Sequence, residues 1–260
     1  MKWKVGCIQM DIAFGDPKEN LKAAEEWFAK AAAENCTLVV LPELWTTGYD
    51  LTRLDEIAHK DGEDIVQFLQ EQARKYSFHI VGGSIAKQTD EGVLNTMFVV
   101  DKEGKLVHEY SKLHLFQLMD EHHYLQPGKD ETLFALDSES LSSFICYDIR
   151  FPEWLRKPVL QGAKAMFVVA EWPEPRLDHW QTLLRARAIE NQCYVIACNR
   201  AGKDKNNVFA GHSMIIDPWG AVIAEGSNQE ELLIGEVDLG EISSIRSRIP
   251  IFDDRRPDFY

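Results

Sequence analysis

The sequence predicts an α/β fold in which helices cover mixed β-sheets. Strand-like runs alternate with amphipathic helical segments in both halves of the chain, and elsewhere two strand-like runs are joined only by a tight turn. Helix-linked strands pair in parallel and hairpins pair antiparallel, so the sheets are expected to be mixed. The 260 residues, 45% of them hydrophobic, suffice for one sizeable core, and a single domain over 1–260 is expected.

In the first half, a strand leads into a helix with Ala and Leu on one face and Glu and Lys on the other, and Asn20 is its candidate cap. A hairpin with its turn at Glu103-Gly104 ends this half. The predicted elements are strand 5–12, helix 20–35, strand 37–41, helix 63–76, strand 79–86 and hairpin strands 94–101 and 105–112.

The second half repeats the alternation of strand and helix. Gly162 marks the end of its first helix, and Pro218-Trp219-Gly220 forms the turn of a second hairpin. The predicted elements are strand 141–146, helix 152–161, strand 164–170, helix 177–191, strand 193–199, hairpin strands 211–217 and 220–225, and strand 232–238. The segment 242–260 is charged and is expected to be an irregular tail.

Composition restricts the class of function. The formal charge of −14 argues against nucleic acid or an anionic membrane as a partner, and no apolar run reaches transmembrane length. The cysteines are odd in number and unclustered, and no targeting segment precedes the first strand, so a cytoplasmic protein is expected. His114, His122 and His123 lack a recognised ligand spacing, and Gly82-Gly83 lacks a phosphate-binding context, so neither metal nor cofactor is expected.

The segment Ser143 to Glu153, SFICYDIRFPE, holds the strongest chemical signal. An apolar strand brings Cys146 to a polar turn, and Pro152 then starts a helix. A sulfur near a helix amino terminus is expected to favour the thiolate, as in a nucleophile elbow. The alternative reading of the local sequence is a buried structural cysteine.

Two further segments carry charge at strand ends. Glu43 follows the buried run LVVLP, and Lys112 lies in the otherwise apolar YSKLHLF. Each has an ordinary alternative: Glu43 as a surface carboxylate after a strand, and Lys112 as an outward-facing lysine. Their combination with Cys146 in one chain favours a catalytic interpretation.

These motifs, in this order, resemble the Glu–Lys–Cys signature of the nitrilase, or carbon–nitrogen hydrolase, superfamily. Further matches are GDPKENL, RARAIENQCYVIACNRAG and GHSMIIDPWG, so the resemblance covers nearly the whole chain. It implies a four-layer α-β-β-α sandwich with two mixed sheets. It is greatest for the omega-amidase-like branch, and it implies a homodimer or higher homo-oligomer, with 242–260 packing on a partner subunit.

The resemblance also implies roles for the residues. Cys146 would attack an amide carbon and form a thioester, Glu43 would act as general base and acid, and Lys112 would stabilise the oxyanion. Glu121, in the loop after the lysine, matches a second glutamate of the family and would orient Lys112 or the attacking water. Asp120 is adjacent and competes with it for this assignment.

Five residues next to the motifs are candidates for substrate binding. Four are aromatic, and plain core packing is the alternative for each. Arg150 is the candidate that would bind a substrate carboxylate; the alternative is an ion pair with Glu153 or Glu190, and Arg176 is a weaker candidate. The predicted substrate-binding residues are Tyr49, Phe116, Tyr147, Arg150 and Trp172.

The resemblance thus implies hydrolysis of a small linear carboxamide to a carboxylate and ammonia, with an omega-amide of a 2-oxo acid such as 2-oxoglutaramate as substrate. An N-carbamoyl-amine hydrolase or a nitrilase is the enzymatic alternative. An inactive binding or scaffold protein is the alternative from another class, and the intact Glu43, Lys112 and Cys146 argue against it. A redox role lacks a CxxC pair.

Overall fold

The computed structural model describes residues 1–259 and contains two mixed β-sheets that pack face to face. The strands are β1 (Lys2–Gln9), β2 (Leu38–Val40), β3 (His59–Lys60), β4 (His79–Thr89), β5 (Gly92–Val100), β6 (Leu106–Ser111), β7 (Leu133–Leu136), β8 (Glu139–Ile145), β9 (Ala165–Ala170), β10 (Tyr194–Asn199), β11 (Met214–Ile216), β12 (Val222–Glu225) and β13 (Glu231–Asp238). The helices are α1 (Pro17–Ala33), α2 (Leu54–Ile57), α3 (Glu63–Tyr76), α4 (Glu121–Tyr124), α5 (Pro152–Leu160), α6 (Leu177–Asn191) and α7 (Ile242–Arg248).

The order of strands explains how parallel and antiparallel pairs combine. The first sheet runs β13-β1-β2-β4-β5-β6, with β3 beside β4, and the second runs β12-β11-β10-β9-β8-β7. The helix-linked strands β1, β2 and β4 pair in parallel, as do β8, β9 and β10, whereas hairpin partners such as β5 and β6 are antiparallel. The carboxyl ends of the central parallel strands of each sheet therefore lie at one edge of that sheet.

Side-chain alternation along the strands builds the layers. On β1, Val5 and Cys7 point into the core between the sheets, whereas Ile8 belongs to the cluster that α1 and α3 cover. On the other side, Leu155 of α5 and Trp180 of α6 pack against the second sheet. The resulting order of layers is α-β-β-α, which confirms the predicted fold class.

The first strand and the first helix have other boundaries than predicted. Helix α1 begins at Pro17, and its cap is Asp16, whose side chain accepts the Glu19 N–H at 3.2 Å. Asn20 is instead buried in the first turns of the helix, where its amide donates to the carbonyls of Ala13 and Thr46 at 2.8 Å each. The first strand starts earlier than predicted and ends at Gln9, because β1 pairs over its whole length with β13.

Short elements and the chain end also differ from the prediction. Neither β3 nor β7 was expected, because runs of two and four residues carry too little periodicity. The predicted tail begins with α7, whose Ile242 and Ile245 are buried against the chain's own core. Residue 260 lies outside the described residues. Within 1–259, no helix has both the length and the apolar character needed to cross a bilayer.

A bulge in β4 shapes the turn that carries Glu43. The register of β4 with β5 shifts between Val81 and Ser84, and Gly83 there has φ +60°. A Cβ on Gly83 would lie 2.2 Å from the carbonyl oxygen of Pro42, so only glycine permits this approach. The displaced Ser84 accepts the Leu44 N–H on its Oγ at 2.9 Å and fixes the turn.

Candidate active site

Cys146 lies directly after β8, in a strained turn. Its φ is +46°, which is uncommon for a residue other than glycine and marks a position that its surroundings must hold. The chain continues through a short 3-10 segment before α5 begins at Pro152. The helix therefore begins at Pro152, as predicted, six residues after Cys146, and Cys146 is the first residue of the 3-10 segment between them.

Asp148 holds this turn in place. Its Oδ2 accepts the Ile145 N–H at 3.0 Å and the Tyr110 hydroxyl at 2.7 Å. Its Oδ1 accepts the His114 N–H at 3.2 Å and lies 2.8 Å from His114 Nδ1. Since Tyr110 and His114 flank Lys112 along the chain, one buried carboxylate fixes the position of the cysteine turn relative to the lysine segment.

Glu43 follows β2 and is fully buried among donors. Its Oε1 accepts from Lys112 Nζ at 2.8 Å, from Asn95 Nδ2 at 2.8 Å and from the Tyr49 hydroxyl at 3.2 Å. Its Oε2 accepts the Glu171 N–H at 2.9 Å. Four donors from four separate segments thus fix both oxygens of this carboxylate.

Glu121 completes a buried pair of carboxylates around Lys112. Its Oε1 accepts from Lys112 Nζ at 2.6 Å and from the Tyr49 hydroxyl at 2.6 Å, and its Oε2 accepts the Phe116 N–H at 2.7 Å. Asp120 lies outside this network, in the left-handed conformation before α4. The structure therefore brings Glu121, not Asp120, to Lys112.

Burial and neighbouring charges shift the pKa values of Lys112 and Glu121. Burial alone would lower the pKa of Lys112, but Glu121 and Glu43 offset it and hold that pKa well above its usual value. Burial also raises the pKa of Glu121, against the pull of Lys112. Lys112 is therefore expected to be protonated at neutral pH. Two of its three N–H groups go to the glutamates, and the third has no protein acceptor within the described residues.

The thiol of Cys146 differs from the expectation. Burial raises its pKa well above the usual value, Glu43 raises it further, and Lys112 opposes them. Burial and the neighbouring carboxylate thus both favour the neutral thiol over the expected thiolate, and Cys146 is only 4% exposed. A neutral thiol needs a base to become a nucleophile, and Glu43 is a direct neighbour.

A small cavity opens over Cys146. It has room for about one water molecule, far below the roughly 300–1,000 Å³ of sites for drug-sized ligands. Its lining residues are Phe116, Cys146, Tyr147, Arg150, Trp172, Pro173 and Arg176. Four of the five predicted substrate-binding residues lie here. Tyr49 does not, because its hydroxyl is bound to the two glutamates.

The two arginines of the cavity have aromatic rather than acidic neighbours. The Arg150 guanidinium lies 4.9 Å from the ring centre of Trp172, and that of Arg176 lies 5.5 Å from the ring centre of Phe116. Neither forms an ion pair within residues 1–259. The alternative of an Arg150 pair with Glu190 is wrong, because Glu190 binds Arg187 at 2.8 Å.

Three contributors to the site were missed by the sequence analysis. Asn95, Tyr110 and Asp148 are buried and bind Glu43 or the cysteine turn. A signal existed for Asn95, which is the one amide in the otherwise apolar run VLNTMFVV. Buried polar groups need partners, so its presence there indicated a polar network.

Comparisons with known proteins agree with this geometry. A model of the carbon–nitrogen hydrolase family matches residues 4–247, which include the buried cysteine, carboxylates and ammonium of the site. The chain therefore belongs to the carbon–nitrogen hydrolase family, which confirms the resemblance to the nitrilase superfamily.

Two individual relatives and one solved structure are similar to this chain over nearly its whole length. The chain is 54% identical to the 2-oxoglutaramate amidase of Bacillus subtilis over 260 residues, which is 100% of both chains. It is 32% identical to the omega-amidase YafV of Escherichia coli, covering 96% of both. A crystal structure of a carbon–nitrogen hydrolase superfamily protein from Xanthomonas campestris, with an arsenic adduct in its active site, superposes with a TM-score of 0.92 at 30% identity, covering 98% of both chains.

Proposed function

We propose that this protein hydrolyses the omega-amide of a short 2-oxo acid, 2-oxoglutaramate in particular, to the carboxylate and ammonia. One observation carries the proposal: Cys146, with Glu43 and Lys112 beside it, faces a small cavity that is lined by two arginines without acidic partners. The 54% identity to a 2-oxoglutaramate amidase supports the same substrate.

The first half of the reaction forms a thioester. Glu43 takes the proton of the Cys146 thiol as the sulfur attacks the amide carbon, and the carbonyl oxygen becomes an oxyanion. The remaining N–H of Lys112 and its fixed positive charge stabilise that oxygen. Glu43 then returns the proton to the amide nitrogen, the carbon–nitrogen bond breaks, and ammonia leaves.

The second half of the reaction hydrolyses the thioester. Glu43 takes a proton from a water molecule, which attacks the thioester carbon, and Lys112 again faces the oxyanion. The carbon–sulfur bond breaks, and the thiol is restored with the proton held by Glu43. Glu121 and Tyr49 are positioning residues in this scheme, because they hold Lys112 and Glu43 through hydrogen bonds of 2.6 and 3.2 Å.

The cavity supplies a reason for the 2-oxo acid. Such a substrate carries a carboxylate at the end remote from the amide, and a protein of net charge −14 needs a local cation to bind it. Arg150 and Arg176 are such cations, and a guanidinium binds a carboxylate through two parallel hydrogen bonds.

Ammonia release from a panel of substrates tests the proposed function. The panel contains 2-oxoglutaramate, a neutral short amide such as butyramide, an N-carbamoyl amine and a nitrile. We expect the highest kcat/KM for 2-oxoglutaramate. A higher value for the carbamoyl compound or the nitrile would assign the protein to another branch of the superfamily, and no turnover of any of them would favour a binding protein.

Arg150→Lys tests how the carboxylate is bound. Lysine keeps the charge but cannot form the bidentate pair, so kcat/KM for 2-oxoglutaramate should fall about tenfold or more while that for butyramide changes little. Kinetics of both substrates with both proteins provide the measurement. Equal losses for the two substrates would mean that Arg150 supports the cysteine turn, and Arg176→Lys would then be the next variant to compare.

We also propose that the protein forms a homodimer through α5 and α6. Trp180 and Leu184 of α6 are fully covered by the chain's own sheet, but Ile189 is 50% exposed, and Trp219 and Ile249 nearby are also exposed. Light scattering at micromolar concentration should give the mass of a dimer, and Ile189→Glu should shift it towards the monomer. A stable wild-type monomer would contradict the proposal. A single domain, packing of the tail on a partner and a cytoplasmic location stay predictions.

A further inference from the structure

Arg150 has an unusual partner for an arginine in an acidic protein. Its Nη2 lies 3.2 Å from Nδ1 of His179, and its guanidinium contacts the faces of Trp172 and Tyr147. Across residues 1–259 no carboxylate pairs with it. Its orientation at the cavity therefore depends on one imidazole and two rings.

The hydrogen bond between Arg150 and His179 determines the protonation state of the histidine. A guanidinium carries only donors, so Nδ1 must be the acceptor and must lack a proton. His179 is therefore neutral in this arrangement, with its remaining proton on Nε2. A neutral acceptor orients the guanidinium but leaves its charge uncompensated, whereas a carboxylate at the same place would occupy it and compete with an incoming anion.

The position of His179 on α6 agrees with this role. It lies three residues after Arg176, the second arginine of the cavity, which directly precedes the helix. The start of α6 and the residue before it thus bring an acceptor for Arg150 and a second cation to the same opening. His179 is itself exposed and does not line the cavity, so it acts only through Arg150.

We propose that His179 is a positioning residue that determines specificity: it holds the guanidinium of Arg150 in the orientation that binds the remote carboxylate of the substrate. The inference rests on the proposed function, because it assigns that carboxylate to Arg150. One N–H of the guanidinium is given to Nδ1, and the other four remain for the substrate.

Two substitutions at His179 test the inference. His179→Ala removes the acceptor, whereas His179→Asn places an amide oxygen, which is also an acceptor, close to the position of Nδ1. The Ala variant should raise KM for 2-oxoglutaramate about tenfold with kcat changed less than about twofold, and the Asn variant should recover most of the loss. Butyramide kinetics should be unchanged in both. Thr182→Ala, another exposed position on α6, is the matched control and should behave as wild type.

A binding measurement separates this inference from the proposed function. Calorimetric titration of 2-oxoglutarate, the product, into wild type and both variants should show binding that is weaker in His179→Ala and restored in His179→Asn. Product binding could follow this pattern in the three proteins while wild type fails to hydrolyse 2-oxoglutaramate. In that case the proposed function would be contradicted and the role of His179 would stand. Equal losses on butyramide, an Asn variant no better than Ala, or product binding unaffected by His179→Ala would each overturn the role of His179.

Discussion

Cys146→Ala is expected to abolish ammonia release from every amide while leaving the fold intact. The proposed nucleophile is the sulfur itself, and Cys146 supplies the one thiol of the cavity lining. Loss of the nucleophile from a preassembled nucleophile–base pair typically lowers kcat on the order of 10⁶-fold. The thermal unfolding midpoint should change little, since alanine fits the same turn apart from the strain at φ +46°.

Cys36→Ala is the matched control, because Cys36 is also buried but lies after α1, away from the cavity. This variant should keep wild-type turnover. Iodoacetamide followed by peptide mass spectrometry should label Cys146 ahead of the other four cysteines in wild type. A folded Cys146→Ala protein that released ammonia at the wild-type rate would rule out the thioester mechanism.

The sequence was sufficient for those residues that lie in contiguous motifs at strand ends. Glu43 follows a predicted strand, and Lys112 and Cys146 end theirs. The structure brings the three together from the ends of β2, β6 and β8, which belong to two facing sheets. Most helices and strands were also predictable, since a helix such as α3 shows a clean 3.6-residue period over Glu63–Tyr76.

The sequence did not predict contacts between residues that are distant along the chain, or the burial that results from them. The partner of Arg150 is His179, 29 positions away on another helix, and no local pattern indicates that pairing. The same holds for the expected thiolate of Cys146, because local sequence shows the turn but not the burial that raises the pKa of the thiol. Asp148 could be found only once Tyr110 and His114 were placed beside it.

Glu43→Gln is the second substitution with a large expected effect. All four contacts of the carboxylate are donors, from Lys112, Asn95, Tyr49 and the Glu171 N–H. A glutamine amide must turn its own NH₂ towards one of these donors, and it can take no proton from the thiol. Both thioester formation and hydrolysis should slow, and kcat should fall about 10²- to 10⁴-fold, the usual contribution of a general base.

The charge of Glu43 gives the same variant a second, opposite effect. Burial and then Glu43 raise the pKa of Cys146, so removal of the negative charge should lower that pKa relative to wild type. Alkylation of Cys146 by iodoacetamide, which needs the thiolate but no leaving-group proton, should therefore reach its half-maximal rate at a lower pH in Glu43→Gln. Hydrolysis of 2-oxoglutaramate should be slower at every pH, because protonation of the leaving nitrogen is lost.

Easier alkylation of Cys146 together with slower hydrolysis of 2-oxoglutaramate would show that Glu43 acts as a base and is not only a structural support. A variant that had merely loosened the site would lose alkylation and hydrolysis together, as a destabilised turn would present the thiol poorly to both reagents. Glu109→Gln, on β6 and paired with Lys87, removes a charge from the same sheet away from the cavity and should alter neither reaction. Intact-mass spectrometry completes the test: acyl-enzyme that accumulated in Glu43→Gln at the wild-type rate would show that another group takes the thiol proton in the first step.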